Sequence, residues 1–135
     1  MALVDTNVLL DIATDDPTWL RWSLNAVEAA AAEGPLYVNA VIYAELSIRY
    51  EREAQVDHLM KTVGADFAHM PPAAAFLAAK AFAGYRAAGG AKSGVLPDFF
   101  IGAHAATLGM PLLTRDARRY RTYFPDVRLI SPNLN

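Results

Sequence analysis

MALVDTNVLLD, residues 1–11, carries an apolar run straight into an acid, follows it with two residues of helix-capping type, and resumes with a second apolar run. Residues 3–5 read as a short buried strand, and Thr6 or Asn7 as the cap of a helix over residues 8–12. Asp5 thus stands where a buried strand becomes a helix. Two better-placed cap candidates follow it directly, so capping alone is a weak reason for an acid there.

The same punctuation recurs outward along the chain. Asp16-Pro17 predicts the start of a helix running through Trp19, Trp22 and an alanine-rich stretch to Gly34. Residues 36–38 read as a second strand, Asn39 as the cap of a helix over 41–50, and 54–64 as a further helix. A third strand is expected at 67–70, and Pro71-Pro72 opens a long helix to about residue 88, closed by Gly89-Gly90. Residues 89–96 form a glycine-rich loop that carries Lys92 and Ser93. Pro97 starts a helix that Gly109 ends after Leu108, and a strand at 112–114, a short helix at 116–120 and a last strand at 127–130 follow. Short strands alternating with helices imply a parallel sheet covered on both faces. No repeat or linker divides the chain, which reads as one α/β domain over residues 1–135.

With 135 residues, 54% hydrophobic and 19% charged, the chain has the composition of a globular protein with a substantial core. It has no cysteine, which excludes disulfides and thiolate zinc sites. No apolar run approaches the roughly 20 residues that span a bilayer, and Asp5 and Asp11 interrupt the first one, which argues against a signal peptide. A cytoplasmic location with no membrane association is expected. The net charge is −2, but it is unevenly spread. Five arginines (Arg115, Arg118, Arg119, Arg121, Arg128) and two aspartates give residues 115–128 a charge of +3, against −5 for the rest. Such a segment is either a phosphate-contacting edge or the solvated face of a short helix.

Ligands of open α/β sheets bind outside the carboxyl ends of the strands. Asp5 ends the first strand, and Asp116 follows the strand at 112–114 with only Arg115 between, so both project at one edge. A helix cap also explains Asp116. Glu45 shares a helical stripe with Val41, Ala44 and Ile48, where a buried carboxylate needs a cation, a donor or a raised pKa. Partial exposure explains it equally, because Ile42 and Leu46 form an apolar stripe beside it. Asp98 follows Pro97 in a first helical turn, which suits an anion, and shares a face with Ile101, Gly102 and Ala105, whose small members suggest close packing on the sheet. Jointly the four acids suggest a different reading. Converging carboxylates repel one another unless a cation neutralises them, and an all-oxygen set suits Mg²⁺ or Mn²⁺. Such ions bind phosphates and activate water, which points to phosphodiester hydrolysis.

LVDTNVLLD at 3–11, VIYAEL at 41–46, PDFFIGAHAATLGMPLLTRD at 97–116 and RRYRTYFPDVRLISP at 118–132 together resemble the PIN-domain ribonucleases, specifically the VapC toxins of bacterial toxin–antitoxin pairs. The resemblance extends over nearly the whole chain and is weakest over 51–92, where the helices are generic. It implies a PIN-like three-layer α/β/α sandwich with a short, mainly parallel sheet. It also implies a Mg²⁺- or Mn²⁺-dependent endoribonuclease whose metal-binding acids fall on Asp5, Glu45, Asp98 and Asp116, with Asn7 and Thr114 as polar neighbours of the metal. The family acts as a homodimer and is inhibited by a VapB antitoxin in a heterotetramer or larger complex. The antitoxin's C-terminal segment lies across the toxin and can place an arginine at the acidic pocket. Pro97 departs from the small residue more usual at its position.

Arg115, between Thr114 and Asp116, is a candidate RNA contact, as are Lys92 and Ser93. The histidines are expected to pack or lie at the surface, His104 because it is six positions, about 240°, around the helix from Asp98. Trp19 and Trp22 read as core or dimer surface. Competing readings are a catalytically silent RNA-binding PIN module, a DNA nuclease of similar fold, and a receiver-type phosphoacceptor domain. The last needs paired acids after the first strand and a lysine near the last, and the chain has neither.

Overall fold

β1 (Ala2–Val4) is buried at every position, although successive strand side chains point to opposite faces. β2 (Leu36–Val38) and β4 (Leu112–Leu113) are largely buried in the same way, so both faces of the sheet are covered. This computed structural model describes residues 1–132, and of Ser93 only the backbone. Over that span five strands, completed by β3 (Ala65–Phe67) and β5 (Leu129–Ile130), form one parallel sheet in the order β3-β2-β1-β4-β5. In register, Leu3 faces Tyr37 on one side and Leu112 on the other. The strand order reverses at β1, which places a crevice outside the carboxyl ends of β1 and β4. A receiver-type domain has the order 2-1-3-4-5, so this topology removes that reading.

The helices are α1 (Thr6–Ala13), α2 (Leu20–Glu33), α3 (Ala40–Ser47), α4 (Glu53–Val63), α5 (Pro72–Ala87), α6 (Leu96–Leu108) and α7 (Arg118–Tyr123). α1 and α3 follow β1 and β2 directly, so their amino ends lie at the carboxyl edge of the sheet. α6 is buried almost all round, from Phe99 through Ala105, as befits a helix apolar on every face. Phe99 packs edge-on or tilted against Phe82, Tyr85, Tyr123 and Phe124, which ties α5, α6 and α7 together.

Several boundaries differ from expectation for local reasons. Asp5 itself caps α1, its Oδ1 accepting from Thr6 N at 2.8 Å, in place of Thr6 or Asn7. The chain from Asp16 first makes a turn, in which Asp16 Oδ1 accepts from Thr18 N and Trp19 N, so α2 begins only at Leu20. Asn39 caps as predicted, with Oδ1 accepting from Ile42 N at 2.9 Å, but α3 stops at Ser47. β3 starts earlier than 67 because Gly64, at φ 79°, ends α4 in a left-handed turn that leads straight into the strand. α7 starts after Asp116, so Asp116 is not its cap.

Candidate active site

Asp5, Glu45, Asp98 and Asp116 line one cavity of about 230 Å³, together with Thr6, Asn7, Leu10 and Tyr120. They arrive from four places in the fold. Asp5 leaves β1, Glu45 stands on α3, Asp98 lies in the first turn of α6, and Asp116 follows β4. Their exposure is graded: Asp5 is 4% exposed, Glu45 and Asp98 are half-buried, and Asp116 is exposed at the rim. The core-facing stripe of α3 is Ile42 and Leu46, while Ile48 is 87% exposed, so Glu45 sits at the boundary between core and pocket. Thr6 Oγ1 donates to Glu45 Oε1 at 2.6 Å and so ties α1 to α3.

Asp5 is the most constrained of the four. Its Oδ2 accepts from Thr114 Oγ1 at 2.8 Å, from Tyr120 OH at 2.9 Å and from Asn7 Nδ2 at 3.4 Å. Burial, reinforced by the charge of Asp98, pushes its carboxyl up to about 6 against the hydrogen bonds that favour ionisation. Burial likewise raises the Asp98 carboxyl, against the opposing pull of Arg119. The phenol of Tyr120 is pushed well up by burial and by the charges of Asp5, Asp98 and Glu45. Tyr120, 2% exposed, lies inside the block at 118–132, but no spacing ties it to Asp5. What marked it in sequence was its place on an otherwise arginine-rich short helix, four residues before Phe124.

Asn7 and Thr114 meet beside Asp5, Asn7 Nδ2 lying 3.3 Å from Thr114 Oγ1, and Asn7 Oδ1 accepts from Arg115 N at 3.1 Å. The Arg115 side chain turns the other way. Its Nε and Nη2 donate to the two oxygens of buried Asp11 at 2.8 and 2.9 Å, Ser23 Oγ adds a bond at 2.7 Å, and the guanidinium lies over Trp19. Asp11 was legible as an acid one helical turn beyond Asn7, but nothing in the sequence named Arg115 as its partner. Lys92 is exposed and lines neither this pocket nor the basic one beside it. The side chain of Ser93 lies outside the described residues. Gly102 packs against Phe124 rather than the sheet, since a Cβ there would come within 2.4 Å of that ring. His104 is fully buried away from the pocket, its Nδ1 3.0 Å from Asn39 Nδ2, and burial lowers its pKa.

Next to the acidic pocket lies a larger cavity of about 560 Å³, lined by Arg115, Arg118, Arg119 and Arg121, and the two share Asp116. The all-oxygen donor set and the concentrated negative charge suit a hard divalent cation. Among the described residues, no three acidic or histidine side chains are grouped closely enough to hold an ion as they stand. Asp98 is already partnered by the guanidinium of Arg119, with Nη1 2.5 Å from Oδ2.

A model of the PIN domain matches residues 2–125 of the chain. No curated protein matches it. Among solved structures it is similar to a chain of VapBC2 from Rickettsia felis bound to a promoter DNA fragment, with TM-score 0.72, 15% identity, and coverage of 96% of this chain and 97% of that one. It is similar as well to a chain of a toxin–antitoxin complex from Klebsiella pneumoniae, with TM-score 0.70, 20% identity and coverage of 98% of each. A chain of DNA-bound VapBC from Salmonella typhimurium gives TM-score 0.68, 17% identity, and coverage of 97% of this chain and 98% of that one. At these identities the likeness establishes the fold.

Proposed function

The chain belongs to the PIN-domain family, and from that premise we propose that it is a Mg²⁺- or Mn²⁺-dependent endoribonuclease, the toxin of a toxin–antitoxin pair. The observation that carries the reading is the convergence of Asp5, Glu45, Asp98 and Asp116 on one pocket that opens beside an arginine-lined cavity. The first set suits a hard cation and the second suits the phosphates of a polyanion. Asp5, Glu45, Asp98 and Asp116 would hold the cation. When bound there, such an ion brings the pKa of water toward neutrality and offsets charge on the phosphodiester.

The chain's own groups prepare the pocket for that ion. Thr114, Tyr120 and Asn7 fix the Asp5 carboxylate by three donors, and Thr6 fixes Glu45. Arg118 and Arg121 lie on the exposed side of α7, where a backbone phosphate can be held next to the acids. The partner we propose is a VapB-type antitoxin, in a heterotetramer or larger complex built on a homodimer of this chain. The likeness to chains solved within VapBC complexes supports that partner.

The test is cleavage of single-stranded RNA and single-stranded DNA in parallel, with Mn²⁺, Mg²⁺ or EDTA, by the wild-type chain and Asp5→Asn. RNA cleavage that needs a divalent ion and is lost in Asp5→Asn is expected. Cleavage that survives EDTA, a preference for DNA, or binding without turnover under all conditions overturns the proposal.

A further inference from the structure

Whatever cation the acidic pocket takes up meets one already there. Asp98 and Gly102 lie one turn apart on the same face of α6. The Phe124 ring rests on Gly102, in the space a Cβ would fill, and so draws α7 down onto the first turn of α6. Consecutive residues of α7 then hold two of the four acids, Arg119 reaching Asp98 and Tyr120 reaching Asp5. They do so in different ways. Tyr120 is buried and its hydroxyl is neutral, so it can keep its bond to Asp5 whatever else binds. Arg119 is charged, and a divalent ion on Asp98 would face that charge across a few ångströms. Its side chain is 26% exposed, its guanidinium lies 6.0 Å from the Tyr85 ring, and it lines the adjoining basic cavity, so it has a second seat within reach.

Resting on the reading of this pocket as a metal site, we propose that Arg119 is a built-in counter-ion that holds Asp98 and competes with the divalent cation for it. The arrangement keeps the acids neutralised and in place without metal, and it makes metal uptake and the Arg119–Asp98 ion pair mutually exclusive. By linkage, removing the arginine strengthens metal binding, and the gain equals the metal's weakening of the ion pair.

The test uses the intact chain as wild type, Arg119→Ala, Arg119→Lys and Asp98→Asn. Mn²⁺ affinity is measured by calorimetry, and stability in EDTA by thermal melts that include the Arg119→Ala/Asp98→Asn double variant. Arg119→Ala is expected to bind Mn²⁺ about tenfold more tightly, Arg119→Lys close to wild type, and Asp98→Asn most weakly. In EDTA, Arg119→Ala should lower the melting temperature only while Asp98 is present, the non-additivity of a direct pair. Unchanged or weaker Mn²⁺ binding by Arg119→Ala, with wild-type binding intact, overturns the counter-ion assignment and leaves the metal site standing. Additive melting shifts in EDTA overturn it as well. Failure of all four proteins to bind Mn²⁺ overturns the metal reading and, with it, this proposal.

Discussion

At the scale of single residues, Asp5 combines two tasks on its two oxygens. Oδ1 caps α1 through Thr6 N, and Oδ2 collects the hydroxyls of Thr114 and Tyr120 and the amide of Asn7. Capping a helix and lining the pocket are therefore not alternatives at this position, because each oxygen serves one of them. The combination has a stability cost, because the carboxylate is buried among other acids. With a folded pKa of about 6 against 3.8 for the free group, the native chain keeps a proton that the unfolded chain gives up between those values. Stability contributed by Asp5 is thus fully present below pH 3.8 and lost as pH rises through 6, a loss of about 3 kcal/mol. His104 has the opposite sign. Held neutral by burial, it costs stability as pH falls below its ordinary 6.5. The informative measurement is the difference in unfolding free energy between wild type and Asp5→Asn, in EDTA, from pH 4 to 7. We expect wild type to lose stability relative to the variant as pH rises across that range, and saturating Mn²⁺ to flatten the difference. A flat difference in EDTA would mean that Asp5 ionises freely, as an exposed carboxylate does.

At the scale of elements, the site depends on how α7 lies on α6. The sequence pattern places both helices within a few residues. It could not place them against each other, because glycine in a helix signals close approach without saying to what. Here Gly102 receives the Phe124 ring, and the aromatic cluster of Phe82, Tyr85, Phe99 and Tyr123 closes the gap around it. Gly102→Ala puts a methyl group within 2.4 Å of a buried ring, an overpacking that costs about 1–3 kcal/mol. The consequence reaches the chemistry, since lifting α7 moves Tyr120 off Asp5, which then loses one of its three orienting donors. The outcome we expect is a fall in the urea midpoint together with about a 10–100-fold loss of RNA cleavage, the scale of losing partners that orient ligands. Trimming the ring in Gly102→Ala/Phe124→Leu should recover part of both. If the double variant is no more active than Gly102→Ala, the packing of α7 does not set the geometry of the site.

At the scale of the whole molecule, the sequence order of strand, acid and helix was enough to read the parallel sheet and the edge where Asp5 and Asp116 emerge. The four acids do line one pocket. What was not legible was the set of long-range ion pairs, because sequence gives the sign of a charge and not its partner. The arginines of residues 115–128 read as one basic segment, but Asp11 takes Arg115 and Asp98 takes Arg119. Arg118 and Arg121 are exposed, and among the described residues neither forms an ion pair. Of the four arginines that line the basic cavity, only two are then left for phosphate, on a chain whose net charge of −2 repels RNA at longer range. Counterion release converts that difference into an observable, since each phosphate contact on a single strand contributes about −0.7 to the slope of log affinity against log salt. Binding of a single-stranded RNA to the wild-type chain in EDTA, followed by fluorescence anisotropy across KCl concentrations, should give a slope of about −1.4. Arg118→Ala should flatten it by about 0.7, with Lys61→Ala, exposed on α4 beside the opposite edge strand β3, as the neutral control. A slope of about −2.8 would mean that RNA pulls Arg115 and Arg119 away from Asp11 and Asp98. A slope near zero would mean that no phosphate is held by the basic cavity and would detach it from the acidic pocket beside it.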